Sequence, residues 1–258
     1  MDGIYEYILD DLNLSGKLIL DAAVGAAGAT YHWAKKISQQ GGNSKIIAVD
    51  NDFSGGWKEK IKKRLGEYSA FVELKEADIF DLSFLEDESI DIINCDDTIV
   101  FLNPVPLKLI TAFKGFSRVL KENGLLIITS ELPVSLEDDK ENEGQWRRWQ
   151  LAKAVYDLKG DTWSVEPRPE EVKSSLELLG FDIYDEKVFP ARKIDDYQTT
   201  LEEWRGVMLR DIEGLDWINL KPALAEEIDS VCRKINNNGF MICPPTYVLK
   251  CTKGVERT

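Results

Sequence analysis

The chain has 258 residues, 43% of them hydrophobic and 30% charged, enough to bury a substantial core as one large domain or as one domain with an inserted cap. Its 46 acidic residues against 32 basic ones leave a net charge of −14, a field that repels phosphate backbones and anionic lipid, so neither nucleic acid nor membrane is an expected partner. No apolar run reaches the roughly 18 residues of a membrane span, and the opening Met-Asp-Gly-Ile-Tyr-Glu has no basic or secretory segment, so a cytoplasmic protein is expected.

Taken in chain order, the first half alternates between two patterns. Residues 17–20, 45–49, 71–74, 90–94 and 125–129 are short apolar runs rich in branched side chains, as expected of parallel strands buried on both faces. Between them lie helical patterns. Trp33, Ala34 and Ile37 share a face in residues 29–38, and Trp57, Ile61 and Leu65 fall at i, i+4 and i+8. Leu109, Phe113, Phe116 and Leu120 recur through residues 106–120, before a helix-stop signal at Lys121-Glu-Asn-Gly124. This alternation predicts an α/β fold, a doubly wound and mostly parallel sheet with right-handed crossovers.

The second half changes character. A helix is expected over residues 144–158, with Leu151, Val155 and Leu158 inward and Trp146, Trp149 and Tyr156 elsewhere on its surface. Pro169, first-turn Glu170 and Glu171, then Val172, Leu176, Leu179 and Gly180 mark another helix. Residues 181–188 read as a strand. Two more helices follow between Asp195 and Asn238, with Trp204, Met208 and Ile212 on one and Leu224, Ile228, Val231 and Ile235 on the other; residues 247–252 close as a strand. The organisation expected is a core of residues 1–134, a helical insertion at 135–168, core again at 169–190, a second helical insertion at 191–240, and a last core strand with a tail at 241–258. Such insertions serve as a lid over a binding cleft or as an interface, a homodimer among them.

Four cysteines, Cys95, Cys232, Cys243 and Cys251, form no Cys-x-x-Cys pair, and His32 is the single histidine, so neither a metal site nor a disulfide framework is expected.

The densest signal lies near the start. Leu18-Ile-Leu-Asp-Ala-Ala-Val-Gly-Ala-Ala-Gly-Ala-Thr30 is an apolar strand running into a small-residue turn that opens a helix, and Ile46-Ile-Ala-Val-Asp50 is a second strand ending in an acid. Small residues let a backbone approach a nucleoside, and the acid accepts hydrogen bonds from ribose hydroxyls. The order continues with Glu76-Ala-Asp-Ile-Phe80 after the third strand and Ser89-Ile-Asp-Ile-Ile-Asn-Cys-Asp-Asp97 around the fourth. It goes on through residues 112–130, a helix, a glycine turn and a fifth strand, and Leu178-Leu-Gly-Phe-Asp-Ile183. Taken together, these segments resemble the class I S-adenosylmethionine-dependent methyltransferases, with alanine at two customary glycine sites.

That resemblance implies a Rossmann-like seven-stranded sheet, S-adenosyl-L-methionine as cofactor and S-adenosyl-L-homocysteine as product. It implies cofactor contacts from the turn of Asp21, Ala22, Ala23 and Gly25 to the methionyl end, from Asp50 to the ribose, from Asp78 and the Ile79 backbone to adenine, and from Asp96 or its backbone at the pocket's end, with Asn51 and Cys95 as further cofactor-binding candidates. Methyl transfer to a small molecule by in-line displacement is the activity expected, with positioning and desolvation as its main catalytic factors. No catalytic base is assigned. His32, just after the turn, reads as structural, and the acids after the fourth strand lack the downstream partners of a magnesium site. Trp146, Arg147 and Trp149 in the first insertion are candidates for substrate contact, alongside Arg148, Tyr156 and Trp163; the same residues read equally as an amphipathic helix packing its tryptophans. A protein-modifying methyltransferase and a noncatalytic scaffold stay open, and a nicotinamide-dependent oxidoreductase would need the full glycine fingerprint.

Overall fold

The strand β1 (Leu18–Ala22) has parallel partners on both edges, β2 (Lys45–Asp50) on one and β4 (Ile90–Asp96) on the other. A strand enclosed in this way must be apolar almost throughout: Ile19, Leu20 and Ala22 are fully buried, and Asp21 is the one charged residue among them. In the computed structural model, which describes residues 2–102, 108–133, 143–160 and 166–254, β3 (Val72–Glu76) pairs in parallel with β2, and β5 (Leu120–Glu131) with β4. The strands β6 (Phe181–Phe189) and β9 (Thr246–Lys253) complete a seven-stranded sheet in the order β3-β2-β1-β4-β5-β9-β6. The chain leaves β1 toward β2 on one side and returns to lay β4 on the other. The order therefore reverses between β1 and β4, and a cleft opens at their carboxyl ends.

Helices cover the sheet: α1 (Asp2–Leu9), α2 (Gly28–Gln39), α3 (Trp57–Leu65), the single turn α4 (Ile99–Leu102), α5 (Lys108–Val119) and α7 (Pro169–Glu177). The apolar spacing of α2 buries Ala29, Trp33, Ala34 and Ile37, and α5 buries Leu109, Phe113 and Phe116. Full burial of a Leu, Ile or Phe side chain contributes about 1.5–3 kcal/mol. The helix α1 was not among the expected elements, yet Ile4, Tyr5, Ile8 and Leu9 repeat at helical spacing and all four are buried.

Three details differ from the sequence reading. Trp57 shares a helix face with Ile61 and Leu65, but at the first residue of α3 its ring is 40% exposed, with Lys60 Nζ 4.8 Å from the ring centre. The helix before the stop signal at residues 121–124 does end there, at Val119, but those four residues form a bulge in a strand expected to start only at residue 125. The strand β5 begins at Leu120, which pairs with Ile90, and pairing resumes at Ile92 with Leu125. Gly124 sits where a Cβ would lie 2.8 Å from the Lys121 carbonyl oxygen, so no larger residue fits that bulge. Finally, α7 ends at Glu177, leaving Leu178 76% exposed.

The chain divides into two units. One comprises Met1–Ser130, Pro167–Phe189 and Tyr247–Thr258 and holds the sheet; the other comprises Glu131–Glu166 and Pro190–Thr246. The second unit contains α6 (Glu143–Lys159), α8 (Gln198–Glu213) and α9 (Lys221–Asn238), with the antiparallel pair β7 (Arg192–Ile194) and β8 (Met241–Cys243). Its own core gathers Leu151, Val155, Leu201, Met208, Ile212, Ile228, Val231 and Ile235, with Leu158, Trp204 and Leu224 partly buried against them. The ion pairs Arg147–Glu227, Lys234–Glu143 and Arg205–Asp229 tie these helices together. Trp163 and the start of the helix expected from Pro106 lie outside the described residues.

Candidate active site

The cleft at the carboxyl ends of β1, β2 and β4 is a cavity of about 580 Å³, within the usual range of small-molecule sites. The turn after β1 builds one wall. Ala23, Gly25 and Ala27 all take left-handed backbone, with φ of 65°, 46° and 58°. Glycine adopts this conformation at no steric penalty, whereas alanine in it costs about 1–2 kcal/mol. Neighbours hold the turn in place: Val24 N–H donates to the Val49 carbonyl at 2.7 Å, and Gly25 N–H donates to Asp50 Oδ2 at 2.9 Å. The second bond ties the turn directly to the acid at the end of β2. Asp50 itself lines the cavity.

Asp21 is 2% exposed and accepts two side-chain hydrogen bonds, from Thr30 Oγ1 on α2 and from Asn94 Nδ2 on β4 at 2.7 Å. Burial raises its pKa, and the two donors oppose that shift. Asp21 thus locks β1, α2 and β4 together at the point where the strand order reverses.

Asp96 ends β4 on the same wall. Burial pushes its carboxyl up to about 7; the Tyr5 hydroxyl donates to it at 2.7 Å and pulls the other way, while Asp97 and Asp21 raise it further. Asp96 lines the cavity, but the surrounding protein strips most of its solvent. Thr98 Oγ1 donates to the carbonyls of Ala22 and Asp96, fixing the loop after β4 against the end of β1. On the opposite side, Asp78 folds back to accept Phe80 N–H at 2.9 Å, and Ala77 N–H donates to the Asp50 carbonyl at 2.9 Å.

Eight of the ten cofactor residues expected from sequence line this cavity: Asp21, Ala23, Gly25, Asp50, Asn51, Asp78, Ile79 and Asp96. Ala22 and Cys95 do not. Ala22 is a buried strand residue whose carbonyl is taken by Thr98, and Cys95 is fully buried, its thiol pushed up by desolvation. Sequence reasoning missed Phe80, Thr98, Phe101 and Leu102, which supply much of the apolar wall. The exposed aromatic Phe101 on a helix of one turn was the signal available for them. His32 stacks on Tyr5 at 4.2 Å and meets Tyr31 edge-on at 5.6 Å, packing in support of α1 rather than lining the cavity. Among the described residues no group of three or more acids, cysteines and histidines gathers in a metal-binding arrangement, and no helix is long and apolar enough to cross a membrane.

The candidates in the second unit part company. Trp149 lines a smaller pocket there, whereas Arg147 pairs with Glu227 and Trp146 is not among that pocket's lining residues. The residue beside them that does line it is Arg148.

Comparison with known proteins follows the same lines. A methyltransferase-domain family model matches residues 13–203. A search of curated protein sequences finds no significant match. Among solved structures, the chain is similar to a putative methyltransferase from Bacillus halodurans, at 14% identity and a TM-score of 0.61, covering 98% of each chain. It is also similar to a SAM-dependent methyltransferase from Thiobacillus denitrificans in complex with S-adenosyl-L-homocysteine, at 14% identity and a TM-score of 0.56, covering 97% of this chain and 91% of that one. A cyclopropane synthase from Mycobacterium tuberculosis aligns at 14% identity and a TM-score of 0.57, over 98% of this chain and 84% of the other. With the sheet order, the acids at the ends of the strands and the family match in agreement, the chain belongs to the class I S-adenosylmethionine-dependent methyltransferases, and S-adenosyl-L-methionine is its cofactor.

Proposed function

We propose that the protein transfers the methyl group of S-adenosyl-L-methionine to a small-molecule acceptor. The observation that carries this is the cavity wall lined by Asp50, whose carboxylate braces the turn after β1. In this reading Asp50 and Asn51 hold the ribose hydroxyls, Asp78 and the Ile79 backbone meet the adenine edge, and the turn from Asp21 to Gly25 receives the methionyl end. Asp96 faces the cationic amino group, whose charge favours its ionised form. When bound, the cofactor supplies an electrophilic methyl group on a sulfonium, and a neutral thioether leaves as the acceptor bond forms.

The protein's part is then to orient and to exclude water. Val24, Ile79, Phe101 and Leu102 surround the site with apolar surface, and a transfer that turns a cationic donor into a neutral product gains from that dry setting. The chain's net charge of −14 also supports a small acceptor over a nucleic acid.

Calorimetry with S-adenosyl-L-homocysteine tests the cofactor site, and a tritiated-methyl screen against a size-fractionated cell extract tests the acceptor. Label in the low-mass fraction is the expected result. Label confined to macromolecules overturns the small-molecule reading, and absent homocysteine-derivative binding overturns the cofactor assignment to these residues.

A further inference from the structure

The second unit carries a pocket of its own, about 190 Å³, walled by Arg148, Trp149, Tyr156, Trp204, Val207 and Met208. The helix α6 brings Arg148, Trp149, Ala152 and Tyr156 onto one face by their spacing, and α8 brings Trp204, Val207 and Met208 opposite them. The Arg148 guanidinium lies 5.7 Å from the Trp149 ring and 6.0 Å from the Trp204 ring, held between aromatic faces.

Arg148 is partly buried, and its polar contacts are few. Among the described residues no carboxylate lies at ion-pair distance from Arg148, and the one hydrogen-bond acceptor it reaches is the Met241 sulfur at 3.7 Å. An arginine usually meets a carboxylate with two parallel N–H bonds, and a desolvated cation without such a partner is held at a penalty that an anion would relieve. Glu131 exerts an attractive field on Arg148 from beyond ion-pair distance, and burial raises that carboxyl's pKa.

Size narrows the ligand. A cavity of about 150 Å³ holds benzene, so a pocket of about 190 Å³ takes one ring with a short substituent. Two indoles and a phenol offer flat faces for that ring, and the guanidinium offers paired donors for an anionic group. We propose that this pocket is a binding site for a compact aromatic carboxylate, the ring lying among Trp149, Tyr156 and Trp204 and the carboxylate on Arg148. The assignment stands on residues of the second unit alone and goes beyond the methyl-transfer reading.

Trp149 and Trp204 make intrinsic fluorescence a direct reporter. Titration of the protein with benzoate and phenylacetate is expected to give saturable quenching at up to millimolar concentration, with benzyl alcohol binding at least tenfold more weakly. Arg148→Met should lower carboxylate affinity about 10- to 100-fold, the loss of a charge-assisted pair. Because replacing a partly buried charge can disturb folding, Val207→Phe serves as a second variant. Val207 is 37% exposed on the pocket rim, and the larger ring fills the space without touching the charge. Both variants should bind S-adenosyl-L-homocysteine as the parent does, so that failure here and failure of the cofactor site read out separately. Absent quenching, equal binding of benzyl alcohol, or unchanged benzoate affinity in a folded Val207→Phe protein overturns the proposal.

Discussion

Tyr5 donates its phenolic hydrogen to Asp96 Oδ2 across 2.7 Å, tying the first helix of the chain to the carboxyl end of β4. A hydroxyl that donates to a carboxylate stabilises its ionised form, and here it opposes the burial that lifts Asp96 to about 7. With a raised pKa, Asp96 contributes most to the stability of the cofactor-free fold below the ordinary carboxylate range, and this contribution is lost as pH rises through about 7. In the proposed pose cofactor binding has the opposite preference, because a cationic amino group beside Asp96 favours the carboxylate. Affinity for S-adenosyl-L-homocysteine should therefore increase as pH approaches 7 from below, with proton release detectable by calorimetry in buffers of different ionisation enthalpy. Tyr5→Phe should move that rise to higher pH. An unchanged pH profile in the variant would show that the bond does not tune Asp96.

Asp50 offers a simpler test. Its carboxylate accepts Gly25 N–H and the residue lines the cavity, so Asp50→Ala removes a brace of the turn together with the acceptor proposed for the ribose hydroxyls. Hydrogen bonds to a charged group contribute about 1.5–3 kcal/mol, which corresponds to roughly a 10- to 100-fold loss of affinity. Calorimetry measures it directly, and thermal melting without ligand separates the structural part from the binding part.

The alanines of the turn make a contrasting pair. Ala23 is partly exposed at φ 65°, and Ala23→Gly relieves backbone strain with little packing to lose. The expected gain is about 0.4–1 kcal/mol, or a few degrees in melting temperature. Ala27, at φ 58°, is fully buried in the core, so Ala27→Gly also removes a packed methyl worth about 0.8 kcal/mol and should come out near neutral. Equal shifts in the two melting curves would contradict this account.

Asn94→Leu tests the lock at the strand reversal. The substitution leaves Asp21 Oδ1 without its donor in a buried setting, at a cost of about 1.5–3 kcal/mol. Asp21 already has a raised pKa, and losing a donor to the carboxylate raises it further. The destabilisation should therefore be smaller in acid, where the carboxyl holds its proton, and grow as pH rises. Urea unfolding at several pH values reads both effects.

Much of the sheet unit was legible because strands enclosed on both sides must be apolar runs, and because the acids stand where those runs end. The positions of Asp21, Asp50, Asp78 and Asp96 around one cavity follow from parallel strands sharing a carboxyl end. The second unit was harder to read. The strands Arg192–Ile194 and Met241–Cys243 are three residues each, too short to show a period, and they pair across nearly fifty residues of chain. Arg147 and Arg148 are chemically identical neighbours, and only the rotation of α6 sends one to Glu227 and the other among the tryptophans. The helix α1 did show its spacing at Ile4, Tyr5, Ile8 and Leu9, but eight residues give a short signal, and the hydroxyl that reaches Asp96 has no counterpart in the local pattern.

The left-handed alanines after β1 bear on how a ligand meets this protein. A glycine in such a turn is free to wander when nothing is bound; an alanine braced by its neighbours has few other shapes available. The turn thus works as a mould rather than a clasp. Its contour exists before the ligand arrives, and little chain order has to be created on entry.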